Sequence, residues 1–309
     1  TSMKNPNVKG LIAAPFTPMK ENGDLNLSVL NDYVDLLVKQ GVYNVYVNGT
    51  TGEGLSINKE ERKLAAEKWI QAGKGKLRCI IVQVGTCNLS DTKDLAKHAA
   101  SAGADVIATL PPFFFVPKTL DVLVDYLAEV ANQIADVPLM YYHIPEMTGV
   151  NLDMEKLIQL AEKRIPNFGG IKFSSGELPE FGRCCAKYGD QLALCYGKDE
   201  QVAAAYMLGC KAAVGSTYNY CGILNNKIYN ACMNGDYNAA GKLQNKVAQF
   251  IGVLIDHEMA GLDVAVNKAL MTKLTGLEMG PARLPLGAVS KKSIEIIIED
   301  LKKIDFFEW

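Results

Sequence analysis

Residues 167–177 read NFGGIKFSSGE, and the lysine at their centre decides how the chain is understood. Lys172 stands between Ile171 and Phe173, behind two glycines and ahead of two serines. Side chains along a strand alternate between its two sides. If Ile171 and Phe173 turn one way, Gly170, Lys172 and Ser174 share the other. A surface strand carries such a lysine at no cost, whereas an ammonium inside a protein is expensive unless something offsets it. What surrounds the strand settles which case applies.

Eight short apolar runs alternate with helix-patterned segments. The strand candidates are GLIAAPFTP (10–18), VYNVYVNG (42–49), CIIVQVG (79–85), DVIATLPP (105–112), PLMYYHI (138–144), FGGIKFSS (168–175), LALCYG (192–197) and KAAVGST (211–217). Between the first two, residues 29–39 carry Leu30, Tyr33, Val34 and Leu37 on one helical stripe, with Gly41 as a stop. Asn58 and Glu61 form a capping-box pattern that opens another helix, ended by Gly73. Ser90 is expected to cap a third, which runs to Gly103. Eight such βα units in roughly 230 residues predict an α/β protein of the (β/α)8 TIM-barrel type. A doubly wound open sheet would place a G-x-G-x-x-G turn after its first strand, where this chain reads PFTP instead. After Gly235 the pattern is purely helical. Leu243, Val247, Ile251 and Leu254 make one stripe; Val266, Ala269, Leu270 and Leu274 make a second. Past the link GPARLPLG (280–287), Ile294, Ile297, Leu301 and Ile304 make a third. The expected organisation is a catalytic barrel over residues 3–234 and a C-terminal three-helix extension, 235–309, packed on it.

Composition narrows the function classes. The chain has 309 residues, 49% hydrophobic and 21% charged, which is ordinary for a globular protein. Net charge is −2 and no basic tract occurs, so nucleic acid is not an expected partner. The longest apolar stretch, residues 106–116, is too short to span a membrane. Thr1 and Ser2 ahead of Met3 read as an appended remnant, and polar residues 4–10 do not resemble a secretory signal. The eight cysteines are scattered with no C-x-x-C, which suggests reduced thiols and a cytoplasmic location. His98, His143 and His257 are not spaced with other ligands, so no metal is expected.

Inside a barrel, Lys172 faces the lumen. A neutral amine in a low-dielectric cavity attacks carbonyls and forms Schiff bases; the alternative is a structural lysine paired with a lumenal carboxylate. Active sites of such barrels lie at the carboxyl ends of the strands. There the second strand runs into GTTGEG (49–54), a Gly-bounded loop suited to an anion or simply a turn. The fifth carries Tyr142, lumenal with Met140 and Ile144, either a proton carrier or a core aromatic. The seventh ends in YGKDEQ (196–201), where Asp199 also suits a helix N-cap. The eighth ends in GSTYN (215–219), whose Ser216 and Thr217 could meet a ligand or close a turn.

Together GTTGE (49–53), YHIP (142–145), GIKFS (170–174), GKDE (197–200) and GSTYN (215–219) resemble the N-acetylneuraminate lyase (sialic acid aldolase) family. It lies in the superfamily of pyruvate-dependent class I aldolases that also includes dihydrodipicolinate synthase. The motifs occur in the family's order over about residues 10–286. The resemblance implies reversible cleavage of N-acetylneuraminate to pyruvate and N-acetylmannosamine, with no external cofactor and commonly a homotetramer. It implies that Lys172 forms the Schiff base and that Tyr142 binds the keto acid and shuttles protons. Thr50 and Thr51 would grip the pyruvyl carboxylate, and Gly197, Asp199, Glu200 and Ser216 would hold the polyhydroxyl tail. One departure concerns PPFFFVP (111–117): Phe114 stands where many superfamily members have a tyrosine that enters the neighbouring subunit's site. A second position bears on the aldehyde partner. Dihydrodipicolinate synthases carry an arginine two residues after the fifth strand's proline, and here that position is Met147, beside Glu146. Rivals are another pyruvate-dependent aldolase, such as a 2-keto-3-deoxy sugar acid aldolase, and a barrel that only binds a keto acid or sugar. A phosphosugar aldolase is disfavoured because GSTYN contains no cation.

Overall fold

The computed structural model describes residues 4–134, 136–257 and 264–308. Thr1, Ser2 and the expected barrel start at Met3 lie outside the described residues, as does position 309 of the expected extension. Among the described residues eight parallel strands close a barrel in sequence order: β1 Gly10–Ala13, β2 Asn44–Val47, β3 Cys79–Gln83, β4 Val106–Thr109, β5 Leu139–His143, β6 Phe168–Phe173, β7 Ala193–Tyr196 and β8 Ala212–Gly215. Each lies inside an apolar run identified from sequence. The helices are α1 Leu30–Lys39, α2 Lys59–Gly73, α3 Leu89–Ala102, α4 Leu120–Ala131, the short α5 Pro145–Thr148, α6 Met154–Arg164, α7 Leu178–Tyr188, α8 Val202–Met207 and α9 Gly222–Met233. Beyond them come α10 Tyr237–Asp256, α11 Val264–Thr275 and α12 Lys291–Lys303.

The local signals act as expected with one correction. Asn58 and Glu61 make the reciprocal capping box of α2. Ser90 does not cap α3. Asn88 does, from an extended backbone, with its carboxamide oxygen accepting the Asp91 N–H at 2.8 Å; Ser90 already lies within the first turn. Gly103 closes α3 in the left-handed conformation that glycine adopts without steric cost.

Alternation along the strands separates two apolar layers. Ile12, Tyr46, Ile81, Ala108, Met140, Tyr142, Cys195 and Val214 fill the lumen. Val45, Val82, Ile107, Tyr141, Ile171, Phe173 and Leu194 face the helices. Lys172 pairs in register with Tyr142 on one side and Cys195 on the other, both lumenal. A register irregularity in β6 interrupts the alternation near Gly169, because Leu139 pairs with Phe168 but Met140 pairs with Gly170. Phe168 and Ile171 therefore both face outward although three positions apart. The glycines are required by close approach. A Cβ on Gly170 would lie 2.0 Å from the Ala193 carbonyl oxygen, and one on Gly169 would lie 2.6 Å from Pro138 Cβ.

The three C-terminal helices dock through both apolar and ionic contacts. Val247 and Met271 join the outer layer of the barrel core, while Phe250, Leu270, Ile297 and Leu301 form a cluster of the extension's own. Arg283 reaches back to the α2 capping residue Glu61, with two hydrogen bonds of 2.6 and 2.7 Å. Lys268 on α11 meets Glu53, and both side chains are fully buried.

His143, next to Tyr142, turns outward instead and lies between Phe173 and Tyr141, with ring centroids 4.9 and 6.3 Å away. Neither ring nitrogen has a hydrogen-bond partner among the described residues, and burial holds the imidazole down at about 4. An unfolded histidine titrates near 6.5. Between these values the unfolded chain takes up a proton that the folded chain refuses. Stability is therefore undiminished above about pH 6.5 and falls as pH drops toward 4, by up to about 3 kcal/mol from this group. His143→Phe should flatten that acid limb and leave neutral-pH stability equal or higher. Urea midpoints across this range would test it; an identical acid limb in the two proteins would exclude His143 as its source.

Candidate active site

At the carboxyl ends of the strands the barrel opens into a cavity of about 750 Å³. Lys172, Tyr142, Thr50, Thr51, Gly197, Asp199, Glu200 and Ser216, which come from three loops and two strands, all line it. Lys172 is 5% exposed. Its Nζ sits 3.9 Å from the centre of the Tyr142 ring and 4.2 Å from that of Tyr46. The two rings meet edge to face, 5.6 Å apart, so the amine occupies the corner between two π faces. Among the described residues no carboxylate pairs with it, which removes the reading of a structural ion pair. Two acids of the cavity lining are engaged elsewhere, Glu146 with Lys198 at 3.0 Å and Asp199 with Thr217.

Tyr142 is both a lumenal aromatic and a ligand-facing phenol. Its ring belongs to the lumenal layer while its hydroxyl lies 3.1 Å from Thr50 Oγ1. Thr50, Tyr142 and Lys172 thus form one connected group drawn from β2's loop, β5 and β6. Tyr46 was not legible as a member of this group, since a single tyrosine in an apolar run reads as core. The adjacent Gly49 gives a trace of it: a Cβ there would stand 2.8 Å from the Tyr46 ring.

The far side of the cavity is built by the loops after β7 and β8. Asp199 does not cap its own helical turn. Its Oδ2 accepts the Thr217 N–H at 3.0 Å and the Thr217 hydroxyl at 2.5 Å, and so caps the turn that follows β8. This ties the two loops together. Two glycines leave room for side chains here: a Cβ on Gly197 would lie 2.0 Å from Ser174 Oγ, and one on Gly215 would lie 2.1 Å from Asp199 Oδ1. Met147 lines the mouth and is 50% exposed. Glu146 does not stand as a bare charge, because the Lys198 ammonium meets it. Phe114 is 78% exposed, packs edge to face on Phe115, and lies apart from the cavity lining.

A further wall comes from the extension. Ile251, Leu254 and Ile255 of α10 with Val264 and Asn267 of α11 border the same cavity. In the sequence Ile251 and Leu254 read only as part of a helix stripe, and Ile255, Val264 and Asn267 not at all. No group of acidic, histidine or cysteine side chains among the described residues is arranged to hold a metal ion.

Known proteins share this arrangement. The Dihydrodipicolinate synthetase family model matches residues 7–304. The N-acetylneuraminate lyase of Homo sapiens is 43% identical over 304 residues, covering 98% of this chain and 94% of that one. Among solved structures, the native N-acetylneuraminate lyase (sialic acid aldolase) of Aliivibrio salmonicida superposes with a TM-score of 0.91 at 37% identity, covering 98% of both chains. A catalytic lysine mutant of the Ruminococcus gnavus sialic acid aldolase gives a TM-score of 0.90 at 29% identity, again covering 98% of each. With a family model that spans nearly its whole length, the chain belongs to the dihydrodipicolinate synthetase family, as a relative of the N-acetylneuraminate lyases.

Proposed function

We propose that the chain is an N-acetylneuraminate lyase, a class I aldolase that reversibly cleaves N-acetylneuraminate to pyruvate and N-acetyl-D-mannosamine through a Schiff base on Lys172. The observation that carries this reading is the Lys172 amine, buried on the cavity lining beside Tyr142 with no carboxylate paired to it among the described residues. As a free amine it attacks C2 of the open-chain sugar acid, forming a C–N bond while the carbonyl oxygen takes a proton. Loss of water leaves an iminium. The C4 hydroxyl then gives up its proton, C4 becomes a carbonyl, and the C3–C4 electrons become the C2=C3 double bond of an enamine as the C=N π pair moves onto nitrogen. Protonation of C3 and hydrolysis release pyruvate and restore the lysine. The iminium is the electron sink, so the proposed cycle calls for no external cofactor.

In this scheme Tyr142 carries the proton, Thr50 and Thr51 grip the pyruvyl carboxylate, and Gly197, Asp199, Glu200 and Ser216 line the space for the hydroxylated tail. Residues 3–234 act as the catalytic barrel and residues 235–309 as the extension that completes its cavity. We also propose a homotetramer, in keeping with the strong exposure of Phe114 and Phe115. The free state of all eight cysteines accords with a cytoplasmic location, and no helix of the described residues is long and apolar enough to cross a membrane.

Incubation with pyruvate and borohydride should add one reduced pyruvyl group per chain, on the peptide that contains Lys172. Lys172→Ala should abolish both labelling and cleavage, and Tyr142→Phe should lower kcat by about 10²-fold with the fold intact. Activity surviving in Lys172→Ala, or label on Lys198 or Lys211, would place the chemistry elsewhere.

The choice of aldehyde rests on Met147. It lines the cavity without a charge or a hydrogen-bond donor, so nothing there recognises a second carboxylate. Glu200 and Ser216 instead present groups suited to sugar hydroxyls. A site of that kind discriminates against partners that leave its polar groups unmatched. Condensation with pyruvate should therefore proceed with N-acetylmannosamine and not with aspartate semialdehyde. Glu200→Gln should raise KM for the sugar acid and leave borohydride trapping of pyruvate unchanged. Equal turnover of the two aldehydes in a side-by-side assay would leave a Schiff-base aldolase of another specificity.

A further inference from the structure

The loop that carries Thr50 and Thr51 is held in an unusual conformation, from outside the barrel. Asn48 and Glu53, which flank Gly49–Gly52, both have left-handed backbones, with φ of 60° and 53°. Such conformations cost energy for residues with a Cβ and persist where the surroundings over-determine them. At Asn48 the determinants belong to the barrel: its carboxamide donates to the Arg62 carbonyl at 3.0 Å, and its own carbonyl accepts from Gln83 at 3.3 Å. At Glu53 they belong to the C-terminal extension. Glu53 Oε1 accepts from Lys268 Nζ at 2.7 Å, and Oε2 accepts the Arg283 backbone N–H at 2.8 Å. Lys268 Nζ also donates to the Pro281 carbonyl at 2.9 Å, so one ammonium joins α11, the link after it and the loop.

This ion pair is a poor device for stability alone. Both side chains are fully buried, and burial draws the Lys268 ammonium below its ordinary range even with Glu53 beside it. Buried pairs are often no more stabilising than apolar packing, and their best-supported use is to fix one conformation among several. What is fixed here is the pair of threonine side chains at the cavity, on a loop whose other supports include the Thr17 hydroxyl on the Gly52 carbonyl, 2.6 Å away. The same α11 also supplies Val264 and Asn267 to the opposite wall.

We infer that Glu53 and Lys268 are positioning residues for the reaction, through which the C-terminal extension sets the geometry of the Thr50–Thr51 carboxylate grip. The inference rests on the proposed Schiff-base aldolase, in which that loop binds the carboxylate of the keto acid. Neither residue touches substrate; Glu53 acts on Thr50 and Thr51, and Lys268 acts on Glu53.

The test measures borohydride trapping against concentration for pyruvate and for its methyl ester, which has the same ketone and no carboxylate. Glu53→Gln keeps the shape and an acceptor for the Arg283 N–H. It should raise the pyruvate concentration for half-maximal trapping about 10-fold, the worth of one charge-assisted hydrogen bond. The saturating rate and the response to methyl pyruvate should stay within about 2-fold, close to the noise of such comparisons. Lys268→Met should shift pyruvate alone in the same direction, and Lys268→Arg should restore part of the loss. Equal shifts for the two ketones, or none for either, would make the pair purely structural and overturn the inference. Failure of the unsubstituted protein to trap pyruvate on Lys172 would instead remove the aldolase reading beneath it.

Discussion

The site is built around an amine that is buried with no counter-ion among the described residues. Isolated charges are rarely left inside proteins because desolvation is costly, and the usual remedy, a paired carboxylate, is not found at Lys172 among the described residues. Two aromatic faces stand there instead, at 3.9 and 4.2 Å. A π face attracts a cation without becoming a permanent salt-bridge partner, which leaves the nitrogen's lone pair open to chemistry whenever the proton departs. A carboxylate in the same place would hold the proton and close that option. The lumen is otherwise apolar where the amine enters it, with Met140 and Cys195 flanking the strand. The side chains that bury the stem of the lysine therefore also present π faces to its charge.

Placing the amine there constrains the backbone. The irregular register near Gly169 and the contact of Gly170 with the Ala193 carbonyl set which side of β6 faces inward. One residue of slip would turn Lys172 toward the helices and bring Ile171 or Phe173 into the lumen. Gly49 is constrained in the same sense by the Tyr46 ring, and Gly197 and Gly215 by Ser174 and Asp199. These glycines serve close approach, and their backbones need not be unusual. Gly49, Gly197 and Gly215 stand at or just past strand ends, where neighbouring side chains crowd the backbone beside the cavity.

Much of this was legible in the sequence, for reasons that are local. The eight apolar runs and their alternation require only neighbours along one strand, and so does the inward direction of Lys172. Asn58 with Glu61 is likewise a pattern four residues long. What was not legible joins parts distant in the chain. Asp199 reads as a cap for the turn it begins, yet it caps the turn after β8, 18 residues on. Glu53 reads as the end of an anion-binding loop, yet its partners are Lys268 and Arg283. Tyr46 reads as core, because its role comes from the approach of Lys172 across the lumen. Ser90 reads as a cap by residue type, yet Asn88 caps α3, since the position depends on where the backbone turns extended.

The two halves of the cavity differ in how firmly they are held, and that difference matches two separable tasks. Lys172 and Tyr142 lie on strands, locked by ladder hydrogen bonds and packed in the lumen, so the distance between them has little freedom. Bond-making chemistry needs such fixed geometry, since small displacements cost large factors in rate. Glu200 and Ser216 lie past the ends of β7 and β8, and Met147 lies on the short α5 at the rim, where side chains can change without disturbing the strand register. Asp199 is the exception on that side, fully engaged with Thr217, and it accounts for two loops behaving as one wall. A barrel built this way can alter the aldehyde it accepts by substitution at the rim while the Schiff-base machinery stays intact. The loop of Thr50 and Thr51 falls between the halves: it touches Tyr142 on the inside and is anchored by Glu53 to the extension on the outside. The C-terminal helices are thereby part of the site's geometry as well as a cover for it, and the purely helical last quarter of the chain acquires a reason in the chemistry of the first three.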